Sequence, residues 1–597
     1  MVSALLIIYF GLLCMLAIFG LHRIALVVSS RFRPRPTSTT SSLPRPTPTA
    51  TATATASTPA SARASAASAA SAASVAAGVN GPLAQALLSV TSTRAWPDLA
   101  VHLPIYNEPN VAARAISAAA RLQYPGRLEI VILDDSTDAT RSIVEAAVRA
   151  NETARMLRGT RPSKHANTSG PANAPPDENE SEHATDDRTW AWPPPRVRIS
   201  RRSHRRGYKA GALDEALRST RAELICIFDA DFDPPSDFLL RTVPTLMADP
   251  RLALVQARWG HLNRNRRWLT RAQAILLDGH FAVEHLARTR ARHWFNFNGT
   301  AGVWRRAAIE EAGGWRDATL TEDLDLSYRV QLLGWRLEYL HEVVASAELP
   351  EAWSAFRTQQ GRWVRGSIET ARLMMGQVLR ARGLRPAVRF DAVVHLLQNC
   401  AYVIMALIAV LLPIAVFARD EAGWRVPGGS ELLSTLDAAT LGAGSMAMIV
   451  FYLVAARRTE AGLSWPRPLE ILFALAIGAG MSVSNAMHVI RGLRLRRSEF
   501  VRTPKTGETL NHDHRDRPST RHRRSRDLRN EIAPRFQRLR QQPVIGFEIL
   551  LSIYLAIAIA YAAQSRLWGS IPFLLLYWTG FTAVGVGSLL ERPQDTQ

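Results

Sequence analysis

Cysteine is almost missing from this chain. Only Cys14, Cys226 and Cys400 occur among 597 residues, each inside an apolar run. That excludes a disulfide framework and argues against a cysteine-built zinc site. Acidic residues are short as well, 51 against 72 lysines and arginines, which leaves a net charge of +21. So basic a chain could bind nucleic acid, but no recognition motif accompanies the charge, and nucleic acid is not an expected partner. Charge of either sign is scarce in several runs of about 20 residues, the length a helix needs to cross the hydrocarbon of a bilayer. The excess Arg and Lys then reads as an orienting charge, because such residues near a span stay on the cytoplasmic side.

These runs divide the chain. Residues 1–28 read as an N-terminal transmembrane anchor. The alternative, a cleaved signal peptide, carries its positive charge before the apolar run, whereas here Arg23, Arg31, Arg33 and Arg35 lie late in it or beyond it. Residues 29–97, rich in Ala, Ser, Thr and Pro, have too little large apolar surface to fold and read as a disordered linker. Residues 98–350 have ordinary globular patterning, with a second polar stretch, 151–195, read as a disordered insert. Residues 351–390 read as interface helices and 391–456 as two transmembrane helices. Residues 469–498 read as an interface helix, 499–545 as a basic cytoplasmic segment, and 546–591 as two further spans. Residues 491–540 carry sixteen Arg or Lys. If 469–490 crossed the membrane, that stretch would lie outside, against the charge rule. Five crossings follow, with a cytoplasmic C-terminus and a cytosolic globular domain; six is the alternative.

Within the globular segment, short apolar strands at 99–103, 128–133, 197–200 and 223–228 alternate with helical patterns at 110–122 and 209–218. That alternation predicts a parallel α/β sheet covered on both faces. Asp229-Ala230-Asp231 follows the strand at 223–228. Residues i and i+2 of a strand point the same way, so both carboxylates can meet one hard cation, Mg2+ or Mn2+, which takes its remaining ligands from phosphate. Alone, the string could be an acidic loop, but ligands bind such sheets at the carboxyl ends of strands. Asp134-Asp135-Ser136 ends another strand. It can accept hydrogen bonds from a base or ribose, or cap the helix starting near Ala139 through Ser136 or Asp138. Thr321-Glu322-Asp323 precedes a helical run. Thr321 is a candidate cap, and Asp323 either serves as a general base or complements the helix dipole. Gln359 to Trp363, with Arg362, can stack on a sugar and reach its oxygens, or anchor at the membrane interface. Gly207 to Ala212 opens a helix on which Lys209 can meet a phosphate.

In this order, the four strings resemble those of the processive family 2 glycosyltransferases. These include cellulose synthase, hyaluronan synthase and, most similar, the cellulose-synthase-like A and C group with its glucomannan mannosyltransferases. Longer stretches carry the likeness: 131–138, 227–232, 254–259 and 297–305. The resemblance implies a Rossmann-like GT-A catalytic domain embedded in an α-helical transmembrane bundle. It implies that Tyr106, Glu108, Asp134, Asp135, Lys209 and Asp229 bind a nucleotide-sugar donor, and that Asp229 and Asp231 hold the metal. Asp323 resembles the catalytic base. Glu322, Gln359, Arg362 and Trp363 would meet the acceptor. Phe500, Thr503 and Lys505 fit the spacing of a gating loop, though Arg502 stands where the family has an apolar residue. No cyclic-dinucleotide sensor domain is apparent.

The expected enzyme is an inverting hexosyltransferase of polysaccharide or cell-wall biosynthesis. It would build a β-linked glucan or mannan from UDP-glucose or GDP-mannose and extrude the growing polysaccharide across the lipid bilayer. That bilayer would be a bacterial inner or plasma membrane, or the Golgi in a eukaryotic host. A non-processive enzyme acting on a lipid is the alternative. A third reading, a membrane scaffold with a decayed catalytic domain, is opposed by the intact acidic strings.

Overall fold

The computed structural model describes residues 2–31, 95–159, 194–421, 429–459, 468–494, 539 and 542–591. Phe500, Thr503 and Lys505 lie outside the described residues, as does most of the linker and insert. By contact the chain divides into two units, one of residues 48–250 with 301–307, the other of the remainder.

The first unit is built on a mixed sheet. Its strands are β1 (Leu99–Ile105), β2 (Leu128–Asp134), β3 (Arg196–Ser200), β4 (Leu224–Ile227) and β7 (Gly302–Arg305), in the order β3-β2-β1-β4-β7. The first four are parallel and β7 is antiparallel to β4. β1, β2 and β4 are almost wholly buried, as near-continuous apolar strands between helical layers should be. Register places Ile105 beside Asp134 and Leu133 beside Ser200, so three strands end along one edge. The helices are α2 (Ala112–Ala120), α3 (Thr140–Gly159), α4 (Tyr208–Ser219) and α5 (Phe238–Ala248). Asp138, rather than Ser136, caps α3, its carboxylate accepting the Thr140 N–H at 2.9 Å. α3 continues to Gly159, so residues 151–159 of the expected insert are helical. The polar run Asn151-Glu152-Thr153 hid this extension. A short strand, β5 (Phe232–Asp233), follows the DxD string.

The second unit contains the parallel pair β6 (Leu252–His261) and β8 (Arg336–Ala347). Ala257 is opposite Leu340 and Arg258 opposite Val344, which leaves three extra residues in β8. Arg258 Nε donates to the carbonyl of His341 within that bulge at 3.1 Å. α6 (Trp268–Asp278) runs into a π-helical turn, Gly279–His285, and then α7 (Leu286–Ala291). α8 (Glu322–Leu332) and the long α9 (Trp353–Arg380) follow.

Besides a short helical stretch at Arg306–Glu311, the remaining α-helices are α1 (Val2–Ser29), α10 (Pro386–Leu397), α11 (Ala401–Glu421), α12 (Gly429–Thr459), α13 (Pro468–Gly480), α14 (Ser482–Leu493), α15 (Pro543–Gln564) and α16 (Ile571–Leu590). Five stretches are long and apolar enough to cross a membrane: Leu6–Ser29, Pro386–Ala418, Leu441–Thr459, Pro543–Gln564 and Trp568–Leu590. α13 and α14, bent by 45° where they meet, make a sixth if counted as one span. α13 crosses α16 with backbones touching. A Cβ on Gly480 would come within 2.3 Å of the Gly580 carbonyl oxygen, a close approach that only glycine permits.

Several charged groups buried among these helices are paired, as an apolar bundle favours. Arg23 on α1 meets Glu284 of the π turn. His22 lies 2.9 Å from Asp391 of α10. Arg288 bridges Glu284 at 3.3 Å and Asp391 at 3.1 Å. On α9, Arg357 forms a two-pronged pair with Glu548 of α15 and donates to Ser588 Oγ of α16 at 2.9 Å.

Candidate active site

The carboxyl edge of the parallel strands gathers most of the expected donor-binding residues. Asp229 and Asp231 follow β4 directly. Lys209, in the first turn of α4, places Nζ 2.5 Å from Asp229 Oδ1. Asp231 is buried and Asp229 half-buried. The helix carrying Lys209 begins after Gly207, whose φ of +70° is the left-handed turn glycine makes easily.

Asp134 and Asp135 differ in environment. Asp134 is fully buried and accepts from Arg201 Nε at 2.9 Å and from the Ser136 N–H at 3.0 Å. Those bonds make it a fastener of the loop after β2. Asp135 is held by both forks of Arg202, whose Nε donates to Oδ1 at 3.0 Å. Arg202 also donates to the carbonyls of Arg206 and Tyr208, each at 2.9 Å. The Arg205 guanidinium lies over the Tyr106 ring, 3.3 Å from its centroid, and 4.9 Å from that of Tyr208. Burial pulls the Arg205 pKa below its ordinary value, opposed by Tyr106 and Asp135. Hydrogen bonds to Glu145 and then Asp134 raise that of Arg201. Asn107, with φ +52°, takes a left-handed conformation that Asn tolerates. Its side chain accepts the Thr137 N–H at 2.8 Å, which ties the loop after β1 to the loop after β2. Glu108 sits in the former, its carbonyl receiving the Ala112 N–H at 3.1 Å. No motif in the sequence singles out Arg201, Arg202 or Arg205; the signal they carry is their place immediately after β3, on the carboxyl edge of the sheet.

The second unit carries the strings expected to meet the acceptor. Thr321 stands at the N-cap position of α8, but its hydroxyl caps nothing and lies 3.2 Å from Thr370 Oγ1. Asp323 is half-buried, and its Oδ1 accepts the Leu324 N–H at 2.8 Å. Asp325, the next acid on α8, is committed to a buried bond from Arg329 Nε at 2.8 Å. Gln359, Arg362 and Trp363 all lie on α9 and are half-buried. The Trp363 ring is 6.4 Å from that of Trp259, which lies 5.1 Å from Phe281 of the π turn. The lack of a side chain on Gly361 seats His488 of α14, whose ring would lie 2.5 Å from an added Cβ.

For a divalent cation, the donor set at the end of β4 is the two carboxylates of Asp229 and Asp231. Among the described residues no group of three or more His, Cys, Asp or Glu gathers as a metal site. Two hard oxygen ligands with the rest drawn from phosphate and water suit Mg2+ or Mn2+, so the residues fit the ion.

Two family descriptions match this chain: Glycosyl transferase family 2 over residues 100–168, and Glycosyl transferase family group 2 over 224–419. Glucomannan 4-beta-mannosyltransferase 2 of Arabidopsis thaliana is 39% identical over 295 residues, 49% of this chain and 48% of the relative. The protein named probable glucomannan 4-beta-mannosyltransferase 15, of the same plant, is 32% identical over 435 residues, 70% of this chain and 68% of the relative. Among solved structures, the mannosyltransferase PcManGT from Pyrobaculum calidifontis, in complex with GDP-Man and Mn2+, aligns at 20% identity with a TM-score of 0.38, covering 62% of this chain and 89% of that one. The chain spans about half the length of the first curated relatives it matches. With one relative matched across more than two thirds of its length, and the strand-edge carboxylates in a GT-A-like mixed sheet, the chain belongs to glycosyltransferase family 2, in its cellulose-synthase-like, glucomannan 4-beta-mannosyltransferase-like group, a family of hexosyltransferases.

Proposed function

We propose that this protein is an inverting, processive hexosyltransferase of a membrane. It transfers mannose or glucose from a nucleotide sugar to the end of a β-linked mannan or glucan and passes the product across the bilayer. The observation that carries this reading is the acidic pair Asp229 and Asp231 at the end of β4, with the Lys209 ammonium 2.5 Å from Asp229. Carboxylates for a cation and a lysine beside them are what a sugar diphosphate calls for. The relatives' names speak for a β-linked mannose-containing product, which favours GDP-mannose over UDP-glucose. The five apolar helices support a membrane setting.

Asp229 and Asp231 would hold Mg2+ or Mn2+, which supplies charge stabilisation to the departing diphosphate when bound. Tyr106, Glu108 and Asp135 orient the nucleoside, and Lys209 binds the diphosphate. Asp323 accepts the proton of the acceptor hydroxyl, whose oxygen attacks the anomeric carbon on the face opposite the nucleotide. One displacement turns an α-linked donor into a β-linked product. Trp363 offers its ring to the acceptor sugar, with Gln359, Arg362 and Glu322 near its hydroxyls.

Purified protein incubated with GDP-mannose or UDP-glucose is expected to yield polymer that a β-linkage-specific hydrolase degrades. A single glycolipid would overturn processivity, and no transfer from any nucleotide sugar would overturn the whole reading. Asp323→Asn is expected to lower transfer by roughly 10²–10⁴-fold with nucleotide affinity unchanged. Wild-type turnover in that variant would remove Asp323 from the base role.

A further inference from the structure

The segment that presents Asp323 is not held by its own cap. α8 begins without a side-chain cap from Thr321, so something else fixes where its first turn starts. That something is one face of α9. Gly366, Glu369 and Thr370 stand at spacings of three and four, which places them on one side of the helix. Glu369 is buried, and its Oε2 accepts the Leu320 N–H at 3.0 Å. Its Oε1 accepts from Arg365 Nε at 2.8 Å. Thr370 Oγ1 lies 3.2 Å from Thr321 Oγ1. Gly366 leaves room for Thr321 itself: an added Cβ would stand 2.9 Å from the Thr321 backbone nitrogen and 2.6 Å from its methyl group. Three contacts thus grip two consecutive residues, Leu320 and Thr321, immediately before Glu322 and Asp323.

The same helix carries Gln359, Arg362 and Trp363 one turn earlier. Arg362 and Gly366 are four apart, as are Arg365 and Glu369, so the acceptor string and the grip share one rigid rod. We propose that Glu369, seated by Gly366, is a positioning residue that sets the register between Asp323 and the acceptor string. The proposal rests on Asp323 being the base. A carboxylate is suited to the task. It accepts from a backbone N–H and from a guanidinium at once, and a charge-assisted bond is stronger than a neutral one. Glutamine in its place keeps one acceptor, but turns an amide N–H₂ toward Arg365 or toward Leu320. A misplacement of about 1 Å at a reacting group costs on the order of 100-fold in rate.

The test compares Glu369→Gln, Gly366→Ala and Asp323→Asn in the full-length protein, each assayed for transfer, donor KM and thermal unfolding. Glu369→Gln and Gly366→Ala are each expected to lower kcat roughly 10- to 100-fold, with donor KM within twofold of wild type and an unfolding midpoint that falls but stays well above the assay temperature. Glu369→Asp, which keeps the charge, is expected to recover part of the loss. Wild-type kcat in a folded Glu369→Gln protein would overturn the proposal. So would a loss of rate that only follows loss of folded protein, since a purely structural role predicts that pattern. If Asp323→Asn retains activity while Glu369→Gln loses it, the base assignment fails and Glu369 positions something else. If Asp323→Asn is inactive and Glu369→Gln is not, only the positioning role falls.

Discussion

His102 shows how one residue can conflict with its surroundings. It lies in the middle of β1, fully buried, and neither ring nitrogen has a hydrogen-bond partner among the described residues. Burial first, then the charges of Arg198 and Arg306, hold its pKa down to about 3, so the ring is neutral at any physiological pH. An unsatisfied buried polar group costs about 1–3 kcal/mol. His102→Leu is expected to raise stability by a similar amount, read as a higher unfolding midpoint of the purified protein; a lower midpoint would mean the ring has a partner in solution. Other residues divide by what the sequence could disclose about them. Asp229 and Asp231 were legible because they follow an apolar strand at a spacing of two. That Asp134 would be buried under Arg201, while its neighbour Asp135 was taken by Arg202, could not be read. The arginines are 67 positions away in the chain, and in so basic a sequence they look like surface charge. Glu369 was silent for the same reason: its partner Leu320 is distant in sequence and offers a backbone N–H that no residue type reveals.

At the scale of elements, apolar runs bounded by polar turns marked β1, β2, β3 and β4 to within two residues at each end. β6 and β8 were not foreseen. β8 alternates poorly because of its bulge at residues 341–343, and the two strands are separated by 74 residues containing four α-helices, a π turn and a strand. The π turn between α6 and α7 leaves no mark in a pattern read at 3.6 residues per turn. α9 falls within the stretch 351–390 expected as interface helices, but its length and reach were not legible: it joins Gln359, Arg362 and Trp363, the grip on Leu320 and Thr321, and the bundle. Its link to the bundle is the buried Arg357–Glu548 pair. Arg357→Met alone leaves a carboxylate buried and unpaired, and is expected to destabilise by about 3–5 kcal/mol. Adding Glu548→Leu is expected to restore stability to near wild type, since an apolar pair of similar volume replaces an ion pair at little cost. Thermal unfolding in detergent reads both; equal loss in the single and double variants would show that packing, not charge, sets the effect.

For the whole molecule, the charge excess and the five apolar helices support a proposed arrangement of five crossings, in which the loop between α15 and α16 lies outside and the α/β unit faces the cytosol. With Cys14, Cys226 and Cys400 replaced by Ala, a single cysteine at Trp568, an exposed position, is expected to react with an impermeant maleimide in intact cells. One at Arg149, exposed on α3, is expected to react only after permeabilisation. Labelling of the second in intact cells would reverse the orientation. The contacts of α1 also have a consequence for biogenesis. Arg23 finds its carboxylate 261 residues later, at Glu284, and His22 finds Asp391 after 369. At synthesis rates of about 5–20 residues per second, about 13–52 s pass before Glu284 is made and about 18–74 s before Asp391. With the first helix inserted early, as proposed, a change of elongation rate is expected to change the yield of folded protein.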